Sequence, residues 1–114
     1  MANEFWDVLS DLLLSRSSQA TDRDNELELE RHAYYEAGMA AMQAGKFEDA
    51  IPLLKKATDS IRLRKDAHYA LGQCYEQLNM LPLARKTYER LLRLDYNFED
   101  VRERLNALDR GKPL

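Results

Sequence analysis

Two stretches of this chain repeat one pattern at a fixed offset of 34 residues: Gly38 recurs as Gly72, Ala50 as Ala84, Tyr35 as Tyr69, and Leu54 is matched by Tyr88. A period of about 20 to 50 residues marks stacked supersecondary units, each too small to bury its own apolar face. The first copy covers residues 31–64 and the second 65–98. In copy one, Tyr34, Ala37, Gly38 and Ala41 share a helical face, Ala44-Gly45-Lys46 interrupts it, and Ala50, Leu54, Ala57 and Ile61 resume the same spacing. In copy two the sets are His68, Leu71, Gly72 and Tyr75, then Ala84, Tyr88 and Leu91. Each copy therefore reads as helix, turn, helix.

The breaks carry their own chemistry. Gly45 supplies the left-handed conformation that ends a helix, and Asn79 tolerates the same conformation at the matching place. Pro82 falls near the start of the following helix, where its missing N–H costs little. Gly38 and Gly72 lie in helix interiors, where glycine costs roughly 1 kcal/mol against alanine. That cost predicts a close approach of the two helices in each hairpin, with Ala50 and Ala84 opposite the glycines. Past the second copy, Asn97 is the expected N-cap of a closing helix over Phe98 to Arg110. Val101, Leu105 and Leu108 form its apolar face, and Gly111 and Pro113 stop it.

These residues resemble the tetratricopeptide repeat, in which an aromatic residue is followed by Leu-Gly, then Tyr, then Ala-x3-aromatic and a closing Pro. Copy two reads His68-x2-Leu71-Gly72-x2-Tyr75 and Ala84-x3-Tyr88. Copy one reads Tyr34-x2-Ala37-Gly38-x2-Ala41 and Ala50-x3-Leu54. Tyr96 and Arg62 stand at the two Pro positions, and the family's Trp is missing. The resemblance covers about Arg31 to Arg110. It implies an all-α solenoid of antiparallel helix pairs: two repeats, a capping helix at 99–110, and an extra short N-terminal amphipathic helix. It further implies a concave groove that receives a peptide or helix of a partner, as in adaptors, scaffolds and assembly factors, with no enzymatic activity.

The groove positions follow by phase. Tyr35, Met39 and Met42 recur at i, i+4, i+7 on the first helix; copy two offers Tyr69, Gln73 and Glu76, and the closing helix adds Glu103, with Arg104 and Ala107 beside it. One end is aromatic and soft, the other polar and acidic, which suits an apolar or amphipathic segment because thioethers adapt to irregular surfaces. The same Tyr/Met stripe is equally what a face covered by the chain's own N-terminus would show. Family members that clamp a C-terminal carboxylate use Lys, Asn and Arg at the inward positions. Tyr35, Met39 and Ala70 stand there instead, so chaperone-tail binding is not expected.

The N-terminus supplies a second candidate surface. Phe5, Val8, Leu9, Leu12 and Leu13 make an apolar face with Asp7 and Asp11 opposite and Trp6 at the edge. Residues 1–14 read as a short amphipathic helix, 15–24 as a polar linker, 25–110 as the repeat domain and 111–114 as a tail. A helix of about ten residues is marginal alone in water, so Phe5, Trp6, Leu9, Leu12 and Leu13 need something to pack on. Three placements are open: a cap on copy one, a segment that docks on a partner, or an element exchanged in a homodimer.

Charge and composition exclude other classes. Residues 1–30 hold eight acids and two bases, a net of −6 in a chain of net −3, so residues 31–114 carry +3. The late bases are interspersed with Glu and Asp, and the concentrated basic face of a nucleic-acid binder is not seen. No run of about 18 apolar residues offers a membrane span, and the start of the chain lacks the basic and apolar regions of a secretory signal. The single cysteine, Cys74, reads as a small buried hydrophobe, and His32 and His68 as structural, with no metal-ligand spacing around them. The acidic run from Asp22 to Glu30 reads as a solvated helix start, since the Gly of a calcium loop is missing. No paired acids, activated nucleophile or phosphate loop suggests catalysis, and no cofactor is expected. A cytoplasmic protein whose partner is another protein or a peptide is the expectation.

Overall fold

In the computed structural model, the backbone of residues 2–110 and the side chains of residues 23–110 are described. All regular structure among them is helical: α1 (Ala2–Gln43), α2 (Phe47–Ala57), α3 (Arg64–Gln77), α4 (Leu81–Leu94) and α5 (Val101–Asp109). The chain divides into two units, residues 1–30 and residues 31–114.

The 34-residue period is carried into backbone geometry at the two intra-repeat turns. At the end of α1 the Gly45 N–H donates to Met42 O (2.9 Å) and the Lys46 N–H to Ala41 O (2.8 Å), with Gly45 at φ 77°. At the end of α3 the Asn79 N–H donates to Glu76 O (3.0 Å) and the Met80 N–H to Tyr75 O (2.8 Å), with Asn79 at φ 59°. Both pairs of bonds form the Schellman arrangement that satisfies a helix's last carbonyls. The next helices start alike, from Lys46 at φ −92°, ψ 68° and from Met80 at φ −93°, ψ 66°. Gly and Asn thus do the same work at matching places.

In the unit of residues 31–114, α3 is packed on α2 and on α4, and α4 is packed on α5. The core consists of Ala50 and Leu54 from α2, Ala70, Leu71, Cys74 and Tyr75 from α3, Ala84, Tyr88 and Leu91 from α4, and Val101 and Leu108 from α5. Tyr88, Leu54, Leu91 and Val101 are fully buried, each worth about 1.5–3 kcal/mol of transfer free energy. The helix glycines face side chains of the paired helix, and the facing residues are not Ala50 and Ala84. A Cβ on Gly38 would lie 2.7 Å from Leu54 Cγ, and one on Gly72 would lie 2.7 Å from Tyr88 Cζ.

Three boundaries and the burial of one position differ from the sequence reading. Helix α1 runs through residues 15–24, read above as a polar linker. That stretch contains neither Gly nor Pro, and its polar residues cost a helix only tenths of a kcal/mol each. Helix α2 stops at Ala57, so Ile61 lies outside it, 81% exposed; the buried Ser60 hydroxyl instead accepts the Leu63 N–H (3.1 Å) and shapes the approach to α3. The closing helix begins at Val101 with Asp100, not Asn97, as its cap residue. Asp95 Oδ1 accepts the Asn97 N–H (3.2 Å) and Glu99 takes φ 44°, a turn that postpones the helix. Ala37 is exposed while Leu71, its counterpart one repeat later, is 6% exposed. Leu71 belongs to the helix packed between α2 and α4, and Ala37 belongs to the first helix of the stack.

The unit of residues 1–30 is helical within α1 from residue 2 onward. Its described side chains, from Arg23 to Glu30, are polar except for Leu27 and Leu29, which are 38% and 70% exposed. Phe5, Trp6, Leu9, Leu12 and Leu13 lie outside the residues whose side chains are described. No helix is long and apolar enough among the described residues to cross a membrane.

Candidate partner-binding face

The stripe predicted on α1 remains at the surface. Tyr35, Met39 and Met42 are half-buried, one side of each packed on the core and the other open. Tyr35 lies close enough to the first turn of α3 that burial first, and then the charges of Asp66 and Glu36, push its phenol above the ordinary value. On the adjoining edge of α1, Lys56 from α2 sits over the Tyr34 ring, 4.6 Å from its centroid, covering apolar ring with its own stem.

On α3, Tyr69 and Gln73 are also half-buried, whereas Glu76 has become interior, with a side chain 4% exposed. A carboxylate there needs partners, and it has two. The Tyr88 hydroxyl from α4 donates to Glu76 Oε1, and Arg104 Nη1 from α5 donates to the same oxygen at 3.1 Å. Arg104 Nε in turn donates to Asp100 Oδ1 (3.0 Å) and Oδ2 (3.1 Å), and the Tyr69 hydroxyl donates to Asp100 Oδ1 at 2.5 Å. The guanidinium lies 5.5 Å from the Tyr69 ring centroid, and Phe98 meets that ring edge-on at 5.7 Å. One arginine of the closing helix thereby joins three helices through two carboxylates and two phenols.

The electrostatics follow from this arrangement. Burial, reinforced by the hydrogen bond to Glu76, drives the Tyr88 phenol far above its ordinary value. Burial and then the bond to Asp100 raise Tyr69 as well. Burial alone would push the Asp100 carboxyl up, but the hydrogen bonds from Tyr69 and Arg104 outweigh it and the net shift is downward. Burial would likewise weaken the Arg104 charge, and Asp100 and Glu76 reverse that, holding it protonated.

Of the sequence-predicted residues, Tyr35, Met39 and Met42 share α1, and Tyr69 and Gln73 share α3 with the now-interior Glu76. Glu103 goes elsewhere: it lines a hollow with Leu92, Tyr96, Arg102, Leu105, Asn106 and Asp109 on the far edge of α5. Arg104 of α5 and Asp100, its cap residue, are bonded to α3. Asp100 escapes a sequence reading that starts the helix at Phe98, although its i, i+4 spacing to Arg104 was a usable signal. Cys74 is fully buried, and burial raises its thiol to about 11. His68 is half-buried with Nδ1 2.7 Å from the Arg64 carbonyl oxygen.

Paired antiparallel helices in a 34-residue register, mid-helix glycines beneath Leu54 and Tyr88, and a polar tie to a closing helix define a helical-repeat protein. Residues 19–96 match the family profile described as tetratricopeptide repeat, and the chain belongs to that family. No curated protein matches it. Repeats of this family generally mediate protein–protein interaction and are typically non-enzymatic.

Proposed function

We propose that this protein is a cytoplasmic, non-enzymatic adaptor, scaffold or assembly factor that holds a peptide or helix of a partner against the face of Tyr35, Met39, Met42, Tyr69 and Gln73. The observation that carries the reading is the half-burial of Tyr35, Met39 and Met42: each is anchored on the core yet keeps apolar surface in water. A partner covering that surface gains transfer free energy without first ordering loose side chains. The two thioethers let the face follow an irregular ligand, and the Tyr35 hydroxyl and Gln73 amide give it polar points that fix register. Beside them, Glu76 is interior and the more exposed Asp100 is paired with Arg104, so the polar end meets a ligand as a paired and not a free charge. An amphipathic segment, apolar toward α1 and polar toward α5, matches this order.

The test is capture of a partner by the immobilised protein, repeated with Tyr35→Glu, Met39→Glu and Tyr69→Ala. Loss of capture with unchanged far-ultraviolet circular dichroism is the expected result. Capture at wild-type strength by all three variants would remove the face from the account.

A further inference from the structure

We infer that the exposed ridge Lys86, Arg90 and Arg93 of α4 is a docking surface for the acidic segment 24–30 of a second copy of this chain, and that the protein pairs through it. The three bases recur at i, i+4 and i+7, so they share one helical face, and with Glu89 they line a single open hollow. Arg85 on the same helix is paired with Asp109 at 2.6 Å. Lys86, Arg90 and Arg93 take no carboxylate partner among the described residues. Like charges one turn apart destabilise a helix; Glu89, at i+3 from Lys86 and i−4 from Arg93, offsets part of that repulsion and leaves the ridge net positive.

Beside the ridge lies a second hollow that shares Lys86 and Glu89 with the first and adds Leu81, Pro82 and Leu108 as an apolar floor. A ligand suited to both hollows is acidic, helical and carries a leucine. Such a segment is present in the chain. Asp24, Glu26 and Glu30 stand on helical backbone, with Glu26 and Glu30 repeating the one-turn spacing of Lys86 and Arg90. Leu29, three residues beyond Glu26 and so on its face, is 70% exposed. The charge division of the chain, −6 over residues 1–30 against +3 over 31–114, means that every copy carries both complementary parts. Reciprocal docking about a two-fold axis closes the pair, and each contact is made twice. The apolar floor and Leu29 supply area removed from water, while the charges set register and salt dependence. This surface lies on α4, away from the proposed ligand face, and stands or falls independently of it.

Sedimentation or light scattering on the full chain tests the pairing. At low ionic strength the expected mass is twice the 13.3 kDa of one chain, falling to one chain in about 1 M salt, where the Debye length shrinks to about 3 Å. The charge reversals K86E/R90E/R93E and E26K/E30K should each give a monomer, and the two reversals combined should recover the dimer. Circular dichroism and thermal melting of each variant establish that it is folded, and Tyr35→Glu serves as the variant whose mass should not change. A monomer at low salt and high protein concentration would overturn the proposal. So would a dimer indifferent to both reversals, or a monomer in which the reversals alter only hydrogen exchange along α4, the sign of docking within one chain.

Discussion

The ring of Tyr88 occupies the space where a side chain on Gly72 would stand. A Cβ there would meet Cζ at 2.7 Å and Cδ1 at 2.8 Å, and the ring is fully buried and tied through its hydroxyl to Glu76. Gly72→Ala gains about 1 kcal/mol of helix propensity but overpacks a ring with nowhere to move, so a net loss of about 2 kcal/mol is expected. In a domain of this size that lowers the melting temperature by about 10 °C. Gly38→Ala should cost about half as much, because it meets Cγ and one methyl of Leu54, a smaller group than the Tyr88 ring and one not held by a hydrogen bond. Thermal melts of the two variants side by side check the order.

Arg104 is the only cation that reaches the interior carboxylate of Glu76 among the described residues. Arg104→Met should cost about 2 kcal/mol, less than the usual penalty for breaking a buried pair because the arginine is 18% exposed. Adding Glu76→Gln should recover most of that loss by removing the stranded charge. Tyr88→Phe should cost about 1 kcal/mol for the lost hydroxyl. Urea denaturation of the single and double variants gives the coupling directly.

Acid should loosen the closing helix before the rest of the domain. The Asp100 carboxyl is held below its ordinary value in the folded protein by Tyr69 and Arg104. Its contribution is therefore present above the unfolded value of about 4 and is lost as pH falls through the lower folded value. Hydrogen exchange along residues 101–109 should rise on acidification, and Asp100→Asn should remove that pH dependence.

The Cys74 thiol is fully buried and pushed up to about 11. At pH 8 it should react with a thiol reagent only as fast as the fold opens, and at once in denaturant. Rapid labelling of the native protein would contradict the packing of α3 between α2 and α4.

Much of this was legible in the residues because the repeat imposes its own cross-check. Gly45 and Asn79 announce the same turn, and the 34-residue offset aligns Gly38 and Gly72 with side chains that need them small. What escaped was set by tertiary context. Ile61 continues the apolar spacing of α2, but the helix ends before it. The start of α5 depends on the Asp95 side chain and on Glu99 in the left-handed region, neither of which periodicity reveals. Helical phase placed Glu76 with Tyr69 and Gln73, yet only the arrival of Arg104 from α5 accounts for its burial. The Ser-rich stretch 15–24 is polar enough to read as a linker while lacking any residue that forbids a helix.

A residue-by-residue footprint of the bound partner decides where binding occurs. In hydrogen exchange or amide shift mapping of the complex, protection should concentrate at Tyr35, Met39, Met42, Tyr69 and Gln73, with the outward faces of α2 and α4 unchanged by the ligand. A footprint on those outward faces, with residues 35–42 and 69–73 unaffected, would contradict the proposed ligand face.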